Sequence, residues 1–114
     1  MHIDRIIEDK ELQKAFEIRK AVFVKEQGVA AGEEFDQYDR LDGKGEHVLA
    51  YYGDFPAGTG RIREVDGLVK LERICVLRPY RKSGLGKRIM EALEEIAADR
   101  GMMRVKLHAQ THAE

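Results

Sequence analysis

The spacing of apolar positions changes along the chain, and each change marks an element. Residues 2–8 read as a short first strand. Leu12, Ala15, Phe16, Arg19, Val22 and Phe23 then recur at helical spacing, predicting a helix that Asp9 caps, that runs to about residue 27, and that Gly28 closes. Residues 29–45 are glycine-rich and acidic (Glu33, Glu34, Asp36, Asp39, Asp42), so loop or irregular helix is expected there. Three strands follow, over 47–52, 58–65 and 68–76. A turn around residues 53–56 joins the first two. Asp66-Gly67 joins the second pair, supplying the two positive-φ residues of a type I′ hairpin turn. Pro79 ends this antiparallel meander. Leu85, Ile89, Leu93, Ile96 and Ala97 mark an amphipathic helix that stops at Gly101, and residues 102–109 read as a last strand. A strand-helix-strand unit of this kind favours a parallel, right-handed crossover. The expected fold class is α/β (α+β), with helices flanking a mixed, mostly antiparallel sheet.

Composition narrows the possible functions. There is no internal repeat, low-complexity tract or Pro/Ser-rich linker, and 114 residues suffice for one core, so residues 1–114 are expected to form one domain. The hydrophobic fraction of 43% and charged fraction of 36% fit a globular chain. Twenty basic and 21 acidic side chains leave a net charge of −1, so no global field recruits nucleic acid or an anionic membrane. No apolar run approaches the roughly 20 residues of a membrane span. The start, Met1-His2-Ile3-Asp4-Arg5, lacks the apolar region of a signal peptide, and a cytoplasmic location is expected. A single cysteine, Cys75, offers neither an intramolecular disulfide nor metal-ligand spacing, so no metal is expected.

Candidate chemistry concentrates between the third meander strand and the long helix, in Arg81-Lys82-Ser83-Gly84-Leu85-Gly86-Lys87. The first N–H groups of a helix have no intrahelical acceptor and carry the positive end of the macrodipole, which makes them an anion site. Gly84 and Gly86 remove Cβ atoms that would keep phosphates away from those amides. Arg81, Lys82 and Lys87 are expected to add mobile positive charge at the rim. A diphosphate suits this arrangement. A dinucleotide fingerprint would need a third glycine near Ile89, and a Walker A loop would need Ser or Thr where Arg88 stands.

With its run-up Ile74-Cys75-Val76-Leu77-Arg78-Pro79-Tyr80, this segment resembles motif A of the GNAT (GCN5-related N-acetyltransferase) superfamily, (Gln/Arg)-x-x-Gly-x-(Gly/Ala), filled here by Arg81, Gly84 and Gly86. Ile18-Arg19-Lys20-Ala21-Val22-Phe23-Val24-Lys25-Glu26-Gln27, followed by Asp36 and Asp39, is similar to the N-terminal segment of a small bacterial GNAT subfamily. Leu107-His108-Ala109-Gln110 is similar to its fifth strand. The resemblance implies an acyl-CoA N-acyltransferase fold, truncated after the fifth strand, with the C-terminal portion and its acidic tyrosine missing. It also implies a loop, Arg81 to Lys87, that holds the pyrophosphate of acetyl-CoA, and a strand, Ile74-Cys75-Val76, whose backbone holds the pantetheine.

The reaction so implied is direct attack by an amine on acetyl-CoA within a ternary complex, with the Val76 N–H polarising the thioester oxygen. A non-catalytic acyl-CoA-binding module on the same fold is the alternative. Glu72 is the candidate general base; it is expected to share a strand face with Ile74 and Val76, where burial would raise its pKa. Counting outward from Val65 opposite Leu68 also sets Glu72 against Arg61, and a cross-strand ion pair would explain both residues without chemistry. His108 is a lesser candidate for proton relay, and His2, His47 and His112 lesser still. Cys75 is expected to pack in the core. Glu33, Glu34, Asp36 and Asp39 either attract a cationic amine or form the solvated face of a loop. Tyr38 and Tyr80 are weighed as acids, and Tyr80 is read as structural. If the last strand lacks its usual partners, Met103, Val105 and Leu107 present an edge that invites a homodimer.

Overall fold

The computed structural model describes residues 1–28, 45–65, 68–99 and 105–107. The sheet runs β1 (His2–Arg5), β2 (Gly45–Tyr52), β3 (Phe55–Val65), β4 (Leu68–Val76) and β5 (Val105–Leu107), in that spatial order. The first four strands pair antiparallel, and β5 runs parallel to β4. Helix α1 (Asp9–Arg19) lies on one face and α2 (Leu85–Asp99) on the other. The mixed sheet, the helical spacing of both helices and the parallel last strand all follow the sequence expectation. Asp66-Gly67, residues 29–44, 100–104 and everything after 107 lie outside the described residues. The register Val65 to Leu68 is nonetheless the one a two-residue turn requires.

Several boundaries differ. β1 ends at Arg5 rather than residue 8, and β2 and β3 each begin earlier than expected. Glu8 is the N-cap of α1, without a side-chain capping bond; Asp9 is the first helical residue, and with Glu11 it puts acidic charge at the positive end of the dipole. The first helical stretch is not uniform. After Arg19 the chain winds as a π-helix over Lys20–Glu26, with the Gln27 N–H donating to Val22 O at 3.2 Å. Gly28 then ends it at φ +76°. Such wider windings are rare and no single residue announces them.

The two cores divide along the sheet. Val48, Ala50, Ile62, Val69, Leu71, Ile74 and Val76 face Leu85, Ile89, Leu93 and Ile96 of α2. Leu49 and Cys75 face Leu12, Ala15, Ile18, Val22 and Phe23. Along β4 the α2-facing positions are 69 and 71, then 74 and 76, so the alternation slips by one residue. The cause is a β-bulge. Thr59 pairs with Cys75 and Arg61 with Glu72, leaving Arg73 and Ile74 opposite Gly60. Arg73 takes φ +56°, a left-handed conformation unusual for a residue with a Cβ. The bulge sends Glu72 to the face opposite Ile74 and Val76, which corrects the expectation that the three share one face.

Glycines of β3, Gly60 opposite the bulge and Gly58 opposite Val76, admit α2. A Cβ on Gly58 would stand 2.9 Å from the Cys75 carbonyl oxygen and 2.9 Å from Ile89 Cδ1. The carbonyl belongs to the backbone and cannot rotate aside. Gly58→Ala should therefore cost about 1–3 kcal/mol in urea unfolding, as overpacked cores do. An unchanged midpoint would show that β3 and β4 separate more readily than this packing implies.

Candidate functional site

β4 delivers the chain to the mouth of α2 through a short sequence of turns. Leu77 N–H donates to Ala57 O at 2.8 Å, closing the pairing with β3. Amides alternate sides along an extended strand, so the N–H and C=O of Val76 point to the other edge. The described part of β5 accompanies β4 only over Val69–Leu71, so Val76 lies five residues beyond that pairing. Arg78–Tyr80 makes one 3₁₀ turn, with the Tyr80 N–H donating to Leu77 O at 2.9 Å and the Arg81 N–H to Arg78 O at 3.3 Å. Lys82 at φ +67° and Gly84 at φ +85° then reverse the chain into the helix.

Within this loop Ser83 is structural. Its hydroxyl donates to Tyr80 O at 2.5 Å and accepts the Leu85 N–H at 3.3 Å. The helical ladder begins with the Arg88 N–H on Gly84 O at 3.2 Å. The amides of Gly86 and Lys87 fall in the first turn, where helix geometry supplies no acceptor. The sequence falsifies the usual charge rule here. Helix starts favour acidic side chains, yet the first turn of α2 contains no acid and includes Lys87 and Arg88, with Lys82 just before it. All three cations are exposed. Like charges at the positive end of a helix are unfavourable alone and become favourable when an anion sits among them.

Arg81 is not the mobile rim cation expected from the sequence. Its Nε donates to Val76 O at 2.8 Å, while Nη1 and Nη2 donate to the two carboxylate oxygens of Glu26 at 3.1 and 2.9 Å. Arg78 Nη2 adds a contact to Glu26 Oε1 at 3.0 Å. The hydrogen bonds from Arg81, then those from Arg78, hold the Glu26 carboxyl at about 2, well below the ordinary 4.5. Glu26 lies outside the loop, in the Ile18–Gln27 segment that resembles the subfamily, and nothing local in that segment pointed to its pairing with Arg81. The exposed cations at the start of α2 are therefore Lys82, Lys87 and Arg88, and Arg81 is not among them.

Glu72 also departs from expectation. It is fully buried, and its Oε1 receives Arg61 Nε at 3.1 Å and a closer bond from Arg61 Nη2. Arg63 Nε lies 2.6 Å from the same oxygen, near enough for an ion pair although not aligned for a hydrogen bond. Burial alone pushes this carboxyl up, but the Arg61 and Arg63 guanidiniums outweigh it and leave the pKa lowered. That reverses the expected direction. A carboxylate so held is a poor proton acceptor at neutral pH. The cross-strand pairing with Arg61 is present as counted from the sequence. Glu72 Oε2 is buried without a hydrogen-bond partner among the described residues.

The remaining candidates divide simply. Ile74 and Val76 pack under α2, and Leu85 joins them in that core. Cys75 is a buried free thiol in the α1 core, as expected. His47 is buried on β2 opposite Arg61, and His2 stacks on Tyr51 at 4.6 Å. Tyr80 packs against Tyr52 with ring centroids 5.5 Å apart, consistent with a structural role. Among the described residues no cluster of three His, Cys, Asp or Glu could hold a metal, and no helix is long and apolar enough to cross a membrane. Tyr38, His108, His112 and the acidic group Glu33, Glu34, Asp36 and Asp39 lie outside the described residues.

Comparison with known proteins places this geometry. The family model described as "Acetyltransferase (GNAT) family" matches residues 12–114. A Bacillus subtilis (strain 168) protein described as an acetyltransferase is 51% identical over 113 residues, spanning 99% of this chain and 77% of its own length. A crystal structure from Lactobacillus plantarum, described as an N-acetyltransferase, superposes with a TM-score of 0.82 at 30% identity over 95% of this chain and 74% of its own. An aminoglycoside 6'-N-acetyltransferase solved with coenzyme A shares the fold, at a TM-score of 0.75 and 17% identity over 94% of this chain and 61% of its own.

Two pH and stability consequences follow from the ion groups. Glu72→Gln leaves the buried Arg61 guanidinium and the half-buried Arg63 facing a neutral amide and should cost about 3–5 kcal/mol in denaturant unfolding; a loss below about 1 kcal/mol would place the pair in solvent-like surroundings. For Glu26 the folded pKa is depressed, so its stabilising contribution is complete above the ordinary value of 4.5 and lost as pH falls toward about 2. The melting-temperature gap between the protein and Glu26→Gln should be widest above pH 5 and should close between pH 4.5 and 2. A gap independent of pH would contradict the depressed value.

Proposed function

Because this chain belongs to the GNAT acetyltransferase family and is an acyltransferase, we propose that it moves an acetyl group from acetyl-CoA to an amine, using the mouth of α2 to hold the coenzyme's diphosphate. The observation that carries this reading is the pairing of first-turn amides, at Gly86 and Lys87, with a basic and acid-free helix start. That combination fits a ligand bearing adjacent negative charges and fits a neutral or cationic one poorly. Coenzyme A in an aminoglycoside acetyltransferase of the same fold supports the choice of diphosphate.

The coenzyme would supply an activated acyl thioester. The chain would supply position and a hydrogen-bond donor. In this reading the edge of β4 from Ile74 to Val76 would hold the coenzyme's amide-bearing arm, and the Val76 N–H would be the donor offered to the thioester oxygen. A fixed donor of this type contributes about 2.7–4 kcal/mol to rate, and most of the remainder comes from holding amine and thioester in contact. The neutral amine would attack the thioester carbon with both substrates bound; the C–N bond would form as the C–S bond breaks, releasing coenzyme A as the thiol once its sulfur takes up a proton, while the nitrogen loses one to form the amide.

Glu72 has no place as a direct base here. Its two arginine partners keep it ionised, and the bulge turns it away from the face that carries Ile74 and Val76. We assign it to holding β3 and β4 in register beside the bulge. Proton removal would then fall to solvent or to residues outside those described, and the reading uses no metal. An acyl-CoA-binding module without turnover remains distinguishable by experiment.

Acetyl-CoA at a hundredfold excess over its Kd should stabilise the folded chain by about 2.7 kcal/mol, seen as a melting shift of several degrees. Gly84→Val should remove the shift, because a β-branched residue is strained at φ +85° and the loop must move. Thiol release with a panel of amines tests turnover. No shift at millimolar coenzyme contradicts the reading, and a shift without turnover selects the binding module.

A further inference from the structure

The motif arginine is spent inside the protein, and this has a consequence for the residue that holds it. Glu26 ends the π-wound segment, 52 residues before Arg78 and 55 before Arg81. Its side chain retains 19% exposure and that of Arg81 17%. A bidentate guanidinium–carboxylate pair is among the stronger and more directional contacts available to side chains. Here the same guanidinium also binds the Val76 carbonyl through Nε, so one planar group joins three pieces of chain: the end of the π-wound segment, the end of β4 and the start of the phosphate loop.

We propose that Glu26 is a positioning residue for the coenzyme loop, acting through Arg81, and that Arg81 braces the Val76 peptide rather than binding phosphate. This rests on the reading that the α2 mouth holds the coenzyme. Three of the five guanidinium donors point inward to named acceptors, and the fork that would grip a phosphate is occupied by carboxylate. Phosphate charge is met by Lys82, Lys87 and Arg88, which are exposed, together with the first-turn amides. Glu26 performs a second task. Without it, Arg78 and Arg81 would add two further uncompensated cations beside Lys82, and mutual repulsion would drive the loop away from the helix mouth.

The arrangement also ties the two sides of the sheet. α1 and the π-wound segment pack on one face, through Val22 and Phe23, while α2 packs on the other. The Glu26–Arg81 pair is a polar connection between them, so displacement of the π-wound segment is transmitted to the Val76 peptide and the loop.

The test is a double-mutant cycle on coenzyme A affinity, by calorimetry at a temperature where all variants are folded by circular dichroism. Glu26→Gln and Arg81→Met should each raise Kd about tenfold, and the double variant should be no weaker than either single one, the signature of residues acting as a unit. The salt dependence of Kd should be no weaker in Arg81→Met than in the unmodified protein, since no phosphate contact is lost. In the unmodified protein, the Arg81 Nε–H resonance should hold its position on saturation with coenzyme A. Additive losses, a weaker salt dependence in Arg81→Met, or a moving Nε–H resonance would make Arg81 a phosphate ligand and overturn the inference while leaving the site. Should either variant fail to fold, the resonance decides alone. Absence of coenzyme binding by the unmodified protein would overturn the site and the inference together.

Discussion

The site depends on a single slipped residue in β4. Without the bulge at Arg73 and Ile74, strand alternation would place Glu72 under α2 with Ile74 and Val76, and a buried carboxylate would stand in an apolar core. With it, the acid lies on the α1 face between Arg61 and Arg63, while the hydrophobic face stays continuous from Val69 to Val76. The same slip fixes which way the Val76 peptide points. Its carbonyl points away from β3, where Arg81 takes it, and its N–H points the same way. A local backbone irregularity thus sets both the stability of the sheet and the direction of the one donor assigned to chemistry.

From that point the loop is assembled by side chains of ordinary kinds in unusual company. Ser83 closes the turn, Gly84 allows its left-handed step, and Arg81 makes internal hydrogen bonds to Val76 O and Glu26. The helix start that results is electrostatically incomplete, with cations gathered where the peptide dipoles are already positive. Protein folds rarely leave such a feature unless a ligand completes it. The family to which the chain belongs gives that ligand its chemical class, and the geometry says which groups would meet it.

Much of this was legible in the sequence because it rests on periodicity and turn chemistry. The meander, its register from Val65 and Leu68, the pairing of Glu72 with Arg61, and the glycine-rich loop before an amphipathic helix all follow from local patterns. The bulge leaves a trace in the sequence too: apolar residues at 69 and 71 give way to 74 and 76, a skip that strict alternation forbids. An arginine in a left-handed conformation hid it, since glycine is the usual marker. The pairing of Glu26 with Arg81 had no local signal, although Glu26 falls in a segment that resembles the family. It joins residues more than fifty positions apart, and its position depends on a π winding that no residue type encodes.

The central claim is that bare amides at the start of α2, framed by Lys82, Lys87 and Arg88, grip paired phosphates. Hydrogen exchange of residues 81–88 with and without coenzyme A tests it most directly. The account predicts slowed exchange confined to this segment and to the Ile74–Val76 edge of β4. Unchanged exchange there at saturating coenzyme, with protection appearing elsewhere in the chain, would contradict it.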